Sequence, residues 1–198
     1  MPVASLPSAH AAELSLSVER AYREALVTDR LGAIWSLIMA KCLLAQWAIR
    51  RFAIPFDGLL YVWLPTLVLA VVASLLHLRA HRVRLRLLPT HLRVNAAVLA
   101  GLLVALGFVA YAYFALGLLS APLAAAMAAV LLGSWSLARA ALRRAWPPLC
   151  GAGLWWGLAA TALRAPADQA LLWLGVGMLC AQALPGFALA ARTARRRV

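Results

Sequence analysis

The stretch His77-Leu78-Arg79-Ala80-His81-Arg82-Val83-Arg84-Leu85-Arg86-Leu87-Leu88-Pro89-Thr90-His91-Leu92-Arg93 decides how the chain is read. It holds five arginines and three of the four histidines, and a long apolar segment lies on either side. Arginine clusters next to membrane spans stay on the cytoplasmic side, so this run orients everything around it.

The whole composition agrees with a membrane setting. Of 198 residues, 65% are hydrophobic, and the mean hydropathy is +0.87. A soluble domain is about half apolar. Here the excess comes in blocks of about twenty residues, the length a helix needs to cross ~30 Å of hydrocarbon. The sequence therefore predicts an all-α integral membrane bundle of six transmembrane helices, arranged as three helical hairpins and preceded by a short amphipathic cytoplasmic helix.

Working outward from the basic run, spans are predicted at residues 59–78 and 94–118 on its two sides. Further spans cover 31–49, 123–138, 149–163 and 169–191. Pro55, Asp57 and Gly58 make the turn after the first span, and Pro65 bends the second or marks where its regular helix begins. Pro185-Gly186 is a predicted kink near the end of the sixth. Residues 1–12, with two prolines, read as a disordered tail. Residues 13–30 read as an amphipathic helix, with Val18, Ala21, Tyr22, Ala25 and Leu26 on one face and Glu19, Arg20, Arg23 and Glu24 on the other. Residues 31–191 form the membrane domain and 192–198 a basic cytoplasmic tail. The start of the chain lacks the basic n-region of a signal peptide, so the first span is expected to serve as the insertion signal.

The arginines test this layout. Fifteen fall on the side of the basic run, and only Arg50, Arg51 and Arg164 fall on the other. That asymmetry favours six crossings with both termini in the cytoplasm. The arginine- and alanine-rich usage points to a GC-rich bacterial genome, and the expected location is the bacterial inner membrane. The net charge is +13; in a chain this hydrophobic it signals positive-inside bias and attraction to anionic lipid headgroups rather than nucleic acid. Arg79, Arg82, Arg84 and Arg86 are the candidate lipid or partner contacts. Trp35, Trp63, Trp135, Trp146 and Trp173 fall near predicted interfaces and read as belt anchors.

Close packing is expected where small residues recur at a spacing of four. Gly153 and Gly157 form a G-x-x-x-G and are the candidate helix-packing positions. Packing within the chain is the favoured use of that face over contact with another chain.

Candidate chemistry is sparse. Cys42, Cys150 and Cys180 lie in apolar segments without a C-x-x-C pair, which argues against zinc and a disulfide framework. His77 and His81 have a metal-compatible i,i+4 spacing, but surrounding arginines oppose a cation there. Ser134 and Ser136 lack a G-x-S-G motif, and no histidine follows His91 to act as base, so a serine protease within the membrane is not supported. No phosphate-cradling glycine loop is present. No cofactor or metal is expected.

Lys41 stands apart. It lies in the middle of the first span, where a lysine costs roughly 2.5–3.5 kcal/mol. It is expected to face the bundle interior or a wet cavity, usually with a partner, yet the sequence places no carboxylate at its depth. The leading expectation is a non-enzymatic accessory, scaffold or partner subunit of a membrane complex. The alternative is a small-solute transporter, or its membrane substrate-binding component, with Lys41 in the path. An intramembrane enzyme comes third.

Overall fold

The computed structural model describes the backbone of residues 7–80 and 90–195, and the side chains of 29–76, 79, 94 and 97–192. Every regular element among the described residues is helical: α1 (Pro7–Arg51), α2 (Leu64–Ala80), α3 (Thr90–Phe114), α4 (Ala121–Arg143), α5 (Trp146–Ala162), α6 (Ala170–Gly177) and α7 (Leu184–Arg195). A π-helical segment, Leu59–Trp63, leads into α2, and a second, Met178–Ala183, joins α6 to α7. Five stretches are long and apolar enough to cross a membrane: Asp29–Arg51, Leu59–Leu76, Ala97–Phe114, Ala121–Arg143 and Ala167–Arg192. Helix α5, with 17 residues, falls just short of that length. Large apolar side chains are exposed along all the long helices, Leu59, Phe108 and Phe114 at 71%, 69% and 76%, and soluble monomers rarely expose apolar surface that broad.

The N-terminal half of α1 departs from expectation. The amphipathic stretch and the first span form one continuous helix of 45 residues, about 68 Å long at 1.5 Å per residue. The predicted tail is also shorter, because residues 7–12 are already helical; residues 1–6 lie outside the described part. The physical reason is local. Pro7 takes the start of the helix, where a missing N–H costs nothing, and no glycine or proline interrupts the chain between it and Gly32.

The two π-helical segments have a common cause. Each is followed directly by Leu-Pro: Leu64-Pro65 and Leu184-Pro185. A proline ring inside a helix collides with the carbonyl four residues back and donates no hydrogen bond to it. Widening the preceding turn moves that carbonyl away. The first segment is held at its start by Asp57, whose Oδ1 accepts from the amides of Leu59 (2.9 Å) and Leu60 (3.3 Å).

The core is built from small residues around one large one. Trp155 of α5 is fully buried, among Ala125, Ala129, Leu132, Ala159 and Ala181. Alanine-lined helices approach closely, which matters where lipid competes equally for apolar surface. Between single helices the most extensive contact is α4 on α5; α1 runs along α6, the joining π-helical segment and α7, and α3 packs on α4. The span windows of α2 and α3 have only 6% of their residues buried, against 44% for the last span, so these two helices flank the core.

Arg51 at the end of α1, Leu59, Phe114 at the end of α3, Ala121 at the start of α4 and Asp168 all line one cavity, and that end of the bundle is here called the Asp57 end. The opposite, Asp29 end is marked by Asp29 of α1 meeting the last turns of α4, and by Arg192 of α7 stacked 4.6 Å over the Trp146 ring of α5.

Candidate functional site

Three polar or open features interrupt the apolar bundle. The first is a closed network at the Asp29 end. Arg139 and Arg143 lie one turn apart on α4 and both reach Asp29, at 3.5 Å and 2.9 Å. Asp29 is 3% exposed. One turn further in, the Gln182 amide donates to Ser136 Oγ at 2.8 Å, and Ser136 is likewise buried. Ser136, Arg139 and Arg143 share one face of α4 by their 3–4-residue spacing. That face thus carries a polar seam joining α4 to α1 and to the π-helical segment. Its groups satisfy one another and leave no open site. Sequence reasoning missed this seam, taking Asp29 and the arginines as span flanks. The available signal was a lone aspartate among inner arginines, at the same end as a pair spaced for one helix face.

The second feature is Lys41. It lies on the exposed side of α1 with no ion pair or hydrogen bond to any described residue. It does not face the bundle interior, contrary to expectation. The reason is angular: at 100° per residue, Lys41 shares a stripe with Arg30, Ile34 and Leu37, all exposed, while Cys42 and Ala40 beside it are the buried positions.

The third is a cavity of 870 Å³ at the Asp57 end, between α1, α2, α3, α4 and α6. Its walls are apolar, with Leu67, Leu106, Ala124 and Leu174 among them, and Arg50, Arg51 and Asp168 stand at its rim. Lys41 is not part of its lining.

The remaining predicted positions are placed as follows. Gly153 and Gly157 are exposed, and a methyl group added at either would touch nothing. The G-x-x-x-G face is therefore not where the chain packs on itself. That role falls to Gly151, Gly133, Gly175, Gly177 and Gly186, each with a neighbour against its Cα. Arg79 is exposed at the end of α2; Arg82, Arg84 and Arg86 lie outside the described residues, as does His81. Trp35, read as a belt anchor, donates its indole N–H to Ser74 Oγ at 2.9 Å and ties α1 to α2. Ser134 Oγ donates to the Val130 carbonyl. No cluster of three metal-ligating side chains occurs among the described residues.

No family model, curated protein or solved structure matches this chain. Its function must be argued from its own geometry.

Proposed function

We propose that the protein is a non-enzymatic membrane subunit that docks a partner through the α1 face bearing Ile34, Leu37 and Lys41. The observation that carries this reading is the placement of Lys41. It lies twelve residues from Asp29 and ten from Arg51 within the first span, on an exposed face and without a partner among the described residues. An ammonium there is costly against lipid, by about 2.5–3.5 kcal/mol at the midplane. A carboxylate at the same depth on a neighbouring transmembrane helix offsets that cost and selects the partner at once. Ile34 and Leu37 supply the apolar contact around it.

The same reading takes six crossings in three hairpins, in a bacterial inner membrane, with both termini cytoplasmic. Helix α5 supplies the additional crossing: it packs along α4, α6 and α7, and its outer face presents Leu149, Leu154 and Trp156 to the lipid. The basic inner surface, including Arg79, then faces anionic headgroups. The transporter alternative gains no support from the cavity, because Lys41 lies on the far side of α1 from its lining.

The test is photo-crosslinking from position 34, 37 or 41, compared with position 43 on the opposite side of the helix. The reading expects one chain captured from the first set only, with Lys41→Ala abolishing capture. It further expects that neutralising one intramembrane carboxylate of that chain does the same. If the protein purifies alone and Lys41→Ala changes neither assembly nor abundance, the reading fails.

A further inference from the structure

The cavity at the Asp57 end has a chemistry of its own. Its depth is that of two helical turns, from Arg50 down to Leu43 on α1 and from Phe114 down to Leu106 on α3, roughly 10–12 Å. Along that depth the walls offer mainly leucine, valine and alanine side chains, with Trp63, Tyr113 and Gln46 among them. A polar solute entering it would lose its hydration with almost nothing in return, whereas a hydrocarbon chain loses nothing. At 870 Å³ the space is at the upper end of ordinary ligand pockets, about 300–1,000 Å³.

The rim differs from the walls. Arg50 and Arg51 end α1 on the membrane-boundary side, and Asp168 stands across from them in the short turn Ala167–Gln169. None of the three forms an ion pair with a described residue. Gln46 lines the same wall, and its Oε1 is buried without a hydrogen-bond partner among the described residues. Two cations and one anion therefore crown an apolar shaft at the level where lipid headgroups lie, and the buried acceptor of Gln46 sits one turn below Arg50.

We propose that this cavity is a lipid site. It takes an acyl chain of one phospholipid, with the phosphate against Arg50 and Arg51 and a headgroup ammonium against Asp168. Charge complementarity selects this occupant over others. A fatty-acid carboxylate or a glycerol-type anionic headgroup would satisfy the arginines but leave Asp168 facing no cation. A phosphoethanolamine headgroup matches both signs. This site is independent of the α1 docking face, since Leu43, Gln46 and Arg50 lie about 140–200° around the helix from Lys41.

The full chain, purified in mild detergent, is titrated with phosphatidylethanolamine and phosphatidylglycerol of matched chains and read by native mass spectrometry. Phosphatidylethanolamine is expected to be retained over phosphatidylglycerol. Asp168→Asn should abolish that preference while keeping both lipids bound. Arg50→Gln and Arg51→Gln should weaken both by about fivefold each, the factor for one basic group at a phosphate surface. Ala128→Phe, which fills the shaft, should weaken both without touching the rim; Ala124→Val serves if that variant does not elute as a single species. Unchanged retention in the double arginine variant, or in the filled-shaft variant, overturns the site. Phosphatidylglycerol retained as well as phosphatidylethanolamine by the unaltered chain, or a phosphatidylethanolamine preference that survives Asp168→Asn, overturns the headgroup assignment.

Discussion

Asp29 and Lys41 are the two charged side chains of α1 that separate sequence from structure most sharply. Asp29 is buried against two guanidinium groups of α4, whereas Lys41 is exposed and has no partner among the described residues. The ion triad is weak support for overall stability, since forming it costs desolvation of three charges. Breaking it is another matter, because two arginines would remain packed without a counter-charge. Asp29→Asn is expected to lower stability by about 3 kcal/mol, at the low end for a buried pair because both arginines keep some access to solvent. Arg143→Gln alone should cost less, since Arg139 still pairs. In a double-mutant cycle read by unfolding in mixed micelles, the two should be strongly non-additive; additive losses would show that the contact contributes nothing. A smaller effect belongs to the helix ends. Ala53 and Arg144 adopt left-handed φ values of 47° and 46°. Each ends its helix with paired amide-to-carbonyl bonds, Ile54 to Ile49 and Ala145 to Arg143's own turn at Ala140. A side chain in that conformation costs roughly 1–2 kcal/mol, which glycine avoids. Ala53→Gly and Arg144→Gly should therefore each raise the unfolding midpoint slightly, and a drop in both would refute the strain.

Among the elements, α5 shows why small residues mislead when only their spacing is known. Gly151, Gly153 and Gly157 all precede or join the same motif. Gly151 lies against the Ala181 carbonyl, four residues before Pro185, the acceptor that this proline leaves without its usual helical donor. Close backbone approach is needed there, so Gly151→Ala should destabilise by about 1–3 kcal/mol through overpacking. At Gly153 and Gly157 the space is open, and alanine should be neutral or stabilising by up to about 1 kcal/mol through helix propensity. Thermal unfolding of the three variants decides it, and equal effects at all three would contradict the helix orientation. The pattern G-x-x-x-G was legible in the sequence; which side of α5 faces α6–α7 was not, because a helix hydrophobic all round carries no amphipathic signal. The long helices themselves were legible from hydropathy, and Pro65 and Pro185 from their type. The continuity of α1 past residue 30 was obscured by a change in polarity that looked like a boundary, although no residue there breaks a helix. The Asp29 seam was hidden for a different reason: its partners lie more than a hundred positions apart, and hydropathy reads one helix at a time.

For the molecule as a whole, the number of crossings turns on α5. At 17 residues it spans only about 25 Å, against ~30 Å of hydrocarbon. Two features compensate. Its first turn holds Pro147 and Pro148, both buried, and the chain continues without a charge until Arg164. It also runs from the Asp29 end, where Trp146 meets Arg192, to the Asp57 end, where residues 167–169 pack against α1. If α5 did not cross, Asp168 would lie on the side of Arg144. Arg192, Arg195, Arg196 and Arg197 would then lie on the side of Asp57, away from the run at 79–93, against the bias that keeps arginine in the cytoplasm. The two layouts agree about Asp57 and Ser120 and disagree about Asp168 and the C-terminal end. Single cysteines are placed at 57, 120, 168 and 192 in a background with Cys42, Cys150 and Cys180 replaced by alanine. With six crossings, an impermeant maleimide applied to intact cells should label 57, 120 and 168, and should reach 192 only after permeabilisation. Labelling of 192 but not 168 in intact cells would remove α5 from the membrane-spanning set. It would also carry the rim residue Asp168 to the opposite side from Arg50 and Arg51, which the cavity at the Asp57 end does not permit.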